Sequence, residues 1–308
     1  MFNFSVAHLD RLIQAHQYDI ADEVVLFALR ACLPTNLQDI SKSALKPLRQ
    51  LPVDYRRLRC TVGWADRQRG QLMACPGSTV PHQKHIERAL AQSGQGANCL
   101  TPGLLRFDKG KHPSSGGYGS HDAFQQAQAF PHRRTRDDLD YDDDDVITVG
   151  TPGDNLHAAY ADTASSDFPP NFESAGCIVV AGYPLRQGQP HSRDLGCWPR
   201  FRDAAYAEPQ SSFALILAHG GEAEAVATAA PQSVPCMLRF GSVGQWVEQV
   251  QEALVKVGLL EAGQVDGSYG RTTLDAVVAF QRRERLSIDG TCALHTADAL
   301  GISNWPLV

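Results

Sequence analysis

His157-Ala158-Ala159-Tyr160, a polar loop, and then Ser174-Ala175-Gly176-Cys177-Ile178-Val179-Val180-Ala181 is the stretch on which the reading of this chain turns. It places a histidine on one short apolar segment and a cysteine at the mouth of another, with a loop over Asp162 to Glu173 between them. Two short strands, Leu156 to Tyr160 and Ile178 to Ala181, are expected to carry the pair. A thiol attacks as the thiolate, a form that a neighbouring histidine or an ion pair supplies. Gly176 lets the backbone bend and leaves space beside the sulfur. Backbone N–H groups near Cys177 can stabilise a tetrahedral oxyanion, and Ser174 can bond to the histidine or to the backbone and hold the geometry. Taken singly, a cysteine before an apolar strand is most often a buried thiol, and a histidine before Ala-Ala-Tyr a satisfied, partly buried side chain. The catalytic reading rests on His157, Ser174, Gly176 and Cys177 occurring together.

Around this centre the sequence reads as α+β. Residues 5–32 carry apolar residues near helical spacing, with a break around Gln17-Tyr18-Asp19 and an end at Pro34 and Asn36. Residues 58–64 and 71–75 read as a hairpin with Gly70 in its loop, and 84–92 as a short amphipathic helix. Asn98 to Tyr118, rich in Gly, Pro, Ser and Lys, reads as loop with short strands, and Val146 to Val149 as a strand bounded by Gly150 and Pro152. Many short strands predict a β-rich domain over 45–215 behind an N-terminal helical segment, 1–44. The Ala, Gly and Pro content of residues 219–236 marks a linker or a poorly packed helix, placed at 216–236, ahead of a second domain over 237–308.

The bulk numbers agree with about two domains: 308 residues, 43% hydrophobic and 20% charged. A net charge of −6 argues against nucleic acid as a partner. No run of apolar residues is long enough for a membrane span, and Met1-Phe2-Asn3-Phe4-Ser5 lacks the basic and apolar regions of a secretory leader. None of the eight cysteines forms a C-x-x-C pair. A structural zinc site is therefore not expected, nor is any other metal or cofactor, and most thiols should be buried and free. A pairing of Cys177 with another cysteine stays open. The acidic run Asp137 to Asp145 lacks the turn glycine and distal glutamate of a calcium loop. It reads as a solvated loop paired with Arg133, Arg134 and Arg136.

Residues 238–300 carry a helical pattern twice, with Trp246, Val250, Leu254 and Val257 on one face and, further on, Leu274, Val277, Val278 and Phe280-Gln281 likewise on one face. Between them stands Asp266-Gly267-Ser268-Tyr269-Gly270-Arg271-Thr272-Thr273, in which Thr272 can cap the next helix. Asp289-Gly290-Thr291 opens a degenerate second copy, with Ala293 in place of a frequent glycine. With Gln251 and Phe280-Gln281, this repeat resembles the three-helix peptidoglycan-binding domain of the first type. Trp246 and Phe280 themselves are expected in the core.

The order His157, then Ser174-x-Gly176-Cys177, resembles the L,D-transpeptidase catalytic domain of YkuD-like fold. It departs at Ala158-Ala159, where Gly-Thr is common, at Ala175, and at Val179, where an arginine usually stands. The resemblance implies a β-rich catalytic domain in which Cys177 attacks a stem tetrapeptide ahead of its terminal D-Ala while His157 handles the protons. An amine, water or a free D-amino acid then takes the acyl group. Arg106, Arg133, Arg134 and Arg136 are the candidates to replace the missing arginine. His121, Tyr160, Arg133 and Arg134 are the expected substrate-binding residues, and His121 is expected to precede a helix-like Gln-rich stretch. The partner is then the peptidoglycan stem peptide. The start of the chain further points to a phage-type lytic enzyme, or to an antibacterial effector acting at the wall of a target cell, with a secretion apparatus and an immunity protein as partners. Two other readings stand beside it. One is a papain-like (NlpC/P60-type) endopeptidase, with His191, His219 or His295 as the base. The other is a non-catalytic wall-binding protein.

Overall fold

The run Val24-Val25-Leu26-Phe27-Ala28-Leu29 decides the architecture, and it is a strand rather than the second half of a helix. The structure, a computed structural model, describes residues 1–113, 119–161, 171–186 and 194–308. The helix expected over 5–32 is α1 (Val6–Ala15), capped by Ser5 Oγ, which accepts from the His8 N–H at 3.4 Å. Gln17 then turns the chain at φ 53°. Val24, Leu26 and Ala28 face one apolar core, and Val25, Phe27 and Leu29 face another. A strand buried on both faces shows no polar alternation, so its composition matches that of a buried helix.

In chain order the strands are β1 (Phe2–Phe4), β2 (Val24–Arg30), β3 (Cys32–Pro34), β4 (Lys46–Gln50), β5 (Cys60–Asp66), β6 (Gln71–Ser78), β7 (Cys99–Leu100) and β8 (Gly103–His112). They continue with β9 (His121–Gln126), β10 (Phe130–Arg134), β11 (Val146–Gly150), β12 (Leu156–Ala158), β13 (Ile178–Val180), β14 (Gly182–Tyr183), β15 (Leu195–Gly196) and β16 (Ser212–His219). The helices after α1 are α2 (Gln83–Ser93), α3 (Cys197–Tyr206), α4 (Gly220–Thr228), α5 (Gln245–Lys256), α6 (Arg271–Glu284) and α7 (Leu294–Ala299).

Eight strands close a barrel in the order β12-β13-β6-β5-β2-β16-β8-β9. The β2–β16 and β12–β13 pairs are parallel and the others antiparallel. The hairpin expected at 58–75 is β5–β6, with Gly70 in its turn at φ 63°. Two further stretches differ from expectation. The Gly- and Lys-rich segment after Asn98 contains the long strand β8, and the Gln-rich segment after His121 is strand β9, held by an antiparallel register with β8 from Phe107↔Gln126 to His112↔His121.

Trp198 and Phe201 of α3 complete the inner core, where Phe124 meets Trp198, Phe201, Tyr206 and Phe213 edge-on at 5.3 to 6.3 Å. A disulfide joins Cys75 on β6 to Cys197 at the start of α3, with Cα atoms 5.9 Å apart. Closing so long a loop is worth about 4–5 kcal/mol on the chain-entropy account. The other six cysteines are free, Cys177 among them.

The outer core lies under α1, the β1-β4-β3 sheet and α4. The stretch read as a linker or loose helix is α4, and it is well packed. Ala223 and Val226 are buried, and Arg11 donates to the carbonyls of Val226 and Ala229 at 3.0 and 2.7 Å.

The C-terminal module shows why its repeat has the residues it has. Gln251, almost fully buried, donates to Asp266 Oδ1 (2.8 Å), the Ser268 carbonyl (3.1 Å) and Thr273 Oγ1 (2.9 Å), and accepts from the Asp266 and Gly267 N–H groups. Gln281 does the same one repeat later. It donates to Asp289 Oδ1 (2.7 Å), the Thr291 carbonyl (3.0 Å) and Thr296 Oγ1 (3.3 Å), and accepts from the Gly290 N–H (2.9 Å). Each glutamine fastens an Asp-Gly turn, its glycine at φ 69°, to the helix that follows. Thr272 is exposed and caps nothing, while its neighbour Thr273 is part of the fastening. Phe280 is buried as expected, and Trp246 is half-buried against Trp305 at 6.0 Å. Gln281→Ala leaves several of these buried groups unpaired and is expected to cost about 2–3 kcal/mol. A urea titration of the variant with no shift in midpoint would contradict this role.

The module is seated on the barrel region. The Leu104 N–H donates to the Phe240 carbonyl and the Met237 N–H to the Ala15 carbonyl, at 2.9 and 2.8 Å. Ile147 of β11 joins the core of the module. The acidic run takes part. Asp143 accepts from the Ile288 N–H and Ser287 Oγ, at 3.0 and 3.1 Å, so this carboxylate fastens the module rather than pairing with an arginine.

Candidate active site

Parallel pairing of β12 with β13 sets His157 opposite Val179 and brings the turn carrying Cys177 alongside β12. Ser174 holds that turn through the backbone and not through the histidine. Its Oγ donates to the Cys177 carbonyl (2.7 Å) and accepts from the Gly176 N–H (3.3 Å). Gly176 sits at φ 143°, and a Cβ there would overlap Asp154 Oδ1 and Asn98 Cβ. Only glycine fits both the conformation and the space.

Cys177 is partly exposed and opens on a cavity of about 510 Å³ whose walls include His112, His157, Tyr160, Glu173 and Arg186. The Asn155 N–H donates to Sγ at 3.3 Å. His157 Nδ1 lies 2.8 Å from the Ala158 carbonyl, to which it donates, leaving Nε2 as the acceptor nitrogen of the ring. A ring nitrogen of His157, one of His112 and Sγ of Cys177 all lie within 4.8 Å of one another. The rings of His112 and His157 are 4.3 Å apart, and His121 stacks on His112 at 5.2 Å. Tyr160 Oη meets His121 Nδ1 at 3.0 Å, and the Arg186 guanidinium lies 4.6 Å from the centre of the Tyr160 ring.

Burial pushes the Cys177 thiol up to about 12, and the Asp154 carboxyl adds to this against the Asn155 N–H and the thiol's own backbone. Burial, then His112 and His121, drives His157 well below its ordinary range. At rest the pair is therefore a neutral thiol beside a neutral imidazole, not the pre-formed thiolate that the motif leads one to expect. Alkylation of Cys177 by iodoacetamide, followed by peptide mapping, should accelerate about tenfold per pH unit from neutral into the alkaline range. A plateau near neutrality would show a low-pKa thiolate instead.

Of the residues expected to bind substrate, His121 and Tyr160 stand together at this site. Arg133 and Arg134 do not line its cavity among the described residues. Arg133 donates to the Ile288 carbonyl of the C-terminal module. Arg134 Nε donates to Asn98 Oδ1 at 2.6 Å, behind the Gly176 turn. The other two candidates also lie elsewhere. Arg106 pairs with Asp22 at 2.9 Å, and Arg136 lines a separate cavity with His132. Among the described residues, the arginine lining the cavity is Arg186, just past β14, in a stretch without any motif. His112 was equally hidden, because it closes a strand whose glycine and lysines read as loop. Asp154 was a third omission. It is 5% exposed beside the Gly176 turn, and burial lifts its carboxyl to about 7 against the Asn98 bond and Arg134.

For a papain-like arrangement, His219 lies at the end of β16, and His295 is exposed on α7. Neither lines the Cys177 cavity, and His191 falls outside the described residues. Most of the Asp162 to Glu173 loop also falls outside them. Its last residue, Glu173, accepts from Lys84 Nζ and from His85 Nε2.

Residues 243–300 match the family model of a putative peptidoglycan binding domain. The match coincides with the glutamine-fastened helical module and leaves the barrel outside it. It supports a cell-wall-related role, with peptidoglycan as a partner. No curated protein and no solved structure matches the chain. No helix among the described residues is long and apolar enough to cross a membrane.

Proposed function

We propose that the protein is a peptidoglycan-modifying cysteine enzyme of L,D-transpeptidase type, acting on stem tetrapeptides by acyl transfer. The observation that carries this reading is Cys177 Sγ on the wall of a cavity of about 510 Å³, beside a histidine whose tautomer is set by the Ala158 carbonyl. Cys177 attacks the carbonyl preceding the terminal D-Ala while His157 Nε2 takes the thiol proton, so that charge develops only as the bond forms. The proton passes to the departing D-Ala amine, and a thioester remains. The Asn155 N–H beside the sulfur favours the negative charge as it develops. Arg186, braced on Tyr160, is the group suited to the substrate carboxylate, in place of the arginine absent at Val179. The wall-binding module supports the choice of substrate. The Cys75–Cys197 disulfide supports an oxidising compartment such as the envelope.

The test is to incubate the protein and its Cys177→Ala form with tetrapeptide muropeptides and to follow the products by mass. Loss of one D-Ala, exchange for another D-amino acid, or a dimer, each absent with the variant, is the expected result. Unchanged muropeptides with both forms, while both still sediment with sacculi, would overturn the acyl-transfer reading.

A further inference from the structure

His112, His157 and Cys177 come from three separate elements: the end of β8, strand β12 and the turn before β13. One donor atom from each lies within 4.8 Å of the other two. A tetrahedral zinc ion with bonds of about 2.0–2.3 Å to nitrogen and sulfur needs such atoms roughly 3.5 Å apart. Side-chain rotations of about 1 Å therefore suffice.

Both imidazoles are held by a backbone carbonyl. His157 Nδ1 is bonded to the Ala158 carbonyl at 2.8 Å, and His112 Nδ1 to the Pro113 carbonyl at 3.0 Å. In both rings the N–H is committed to a backbone oxygen and Nε2 is left as the lone-pair nitrogen. That is the outer-shell arrangement which holds metal-ligating histidines in place. His121, stacked on His112 and meeting Tyr160 Oη, backs the ring from behind. Two imidazoles and one thiolate make a borderline-soft donor set that favours zinc over magnesium or calcium. Three protein ligands leave a fourth position toward the cavity.

We propose that His112, His157 and Cys177 form a binding site for a divalent transition metal, zinc above all, and that filling it silences the Cys177 nucleophile. The metal replaces the thiol proton. Cys177–SH and Zn²⁺ give the zinc-bound thiolate and one proton released to solvent, with no change of oxidation state. The bound sulfur and the occupied His157 Nε2 are then both withdrawn from acyl transfer. The site itself stands on geometry, and the silencing rests on the acyl-transfer reading.

The experiment titrates the full-length protein with Zn²⁺ by calorimetry and with Co²⁺ by absorption, in wild type, His112→Asn and Cys177→Ala. One high-affinity Zn²⁺ per chain is expected, together with a thiolate-to-cobalt charge-transfer band. His112→Asn should lose on the order of 100-fold in affinity, and Cys177→Ala should lose the band altogether. Wild type binding Zn²⁺ no more tightly than Cys177→Ala, or Co²⁺ giving no thiolate band, overturns the site. If muropeptides are processed at the same rate with the site saturated, the silencing is overturned. If Zn²⁺ binds as expected but muropeptides are never processed, the metal site stands and it is the acyl-transfer reading that fails.

Discussion

Cys177→Ala is expected to abolish muropeptide processing, with turnover falling by on the order of 10⁴–10⁶ if the thiol carries the acyl group. His157→Ala should fall nearly as far, and the double variant little further, because nucleophile and base act as one unit. Both variants should still sediment with sacculi, since the glutamine-fastened module lies apart from the cavity. The pH profile adds a check that a structural role would not move. A general base must be unprotonated, and burial with His112 and His121 holds His157 well below the ordinary histidine range. Activity should therefore persist as the pH falls through 6.5, where an unperturbed histidine would lose half of its base form. A profile that collapses near that value would assign the base to another residue. Full activity in His157→Ala would remove the pair altogether.

Glu222→Gln is expected to destabilise the fold by about 3–5 kcal/mol, the cost of stranding a buried charge. Glu222 Oε1 accepts from Arg239 at 3.1 Å, with the arginine side chain 4% exposed, and Glu222 Oε2 lies 3.0 Å from His16 Nε2. His16 Nδ1 in turn meets the Met237 carbonyl at 3.0 Å, so the cluster joins α1 and α4 to the strap leading into the C-terminal module. Burial pushes Glu222 up, but Arg239 and then His16 outweigh it and hold the carboxylate well below its usual range. A carboxylate with a depressed folded pKa contributes stability above its unfolded value, near 4.3, and loses it as the pH falls toward the folded one. His16 is driven down chiefly by burial and then by Arg239, so the folded state refuses a proton that the unfolded chain accepts below about 6.5. Stability of the wild type should thus decline on acidification from about pH 6.5. The wild-type urea midpoint should therefore be lower at pH 4 than at pH 7. Equal wild-type midpoints at the two pH values, or a midpoint unchanged by Glu222→Gln at pH 7, would show that the cluster contributes little.

Legibility followed from how local the determining physics was. The Asp-Gly turns, their glutamines and the helical periodicity of residues 238–300 are short-range features, so the module could be read from the chain directly. The Ser174-Ala175-Gly176-Cys177 turn is also local, with its glycine required by the φ of 143° and its serine by two bonds inside the turn. Val24 to Leu29 was not legible, because burial on both faces erases the alternation that distinguishes a strand. His121 to Gln126 was misread for a different reason. Only its pairing with β8 makes the glutamines part of a sheet.

Spacing along the chain was enough to read the C-terminal helical module, the hairpin β5–β6 and a cysteine turn downstream of a histidine. What surrounds that cysteine follows from the closing of the barrel. His112 reaches Cys177 and His157 because β8 and β12 both flank β9 in the closed barrel. Arg186 rather than Arg133 or Arg134 reaches the cavity because β10 is spent on β7, β11 and the C-terminal module. The protonation of the thiol was likewise beyond the sequence. It depends on how much water the fold excludes and on a buried carboxyl, Asp154, and both are properties of packing and not of spacing along the chain.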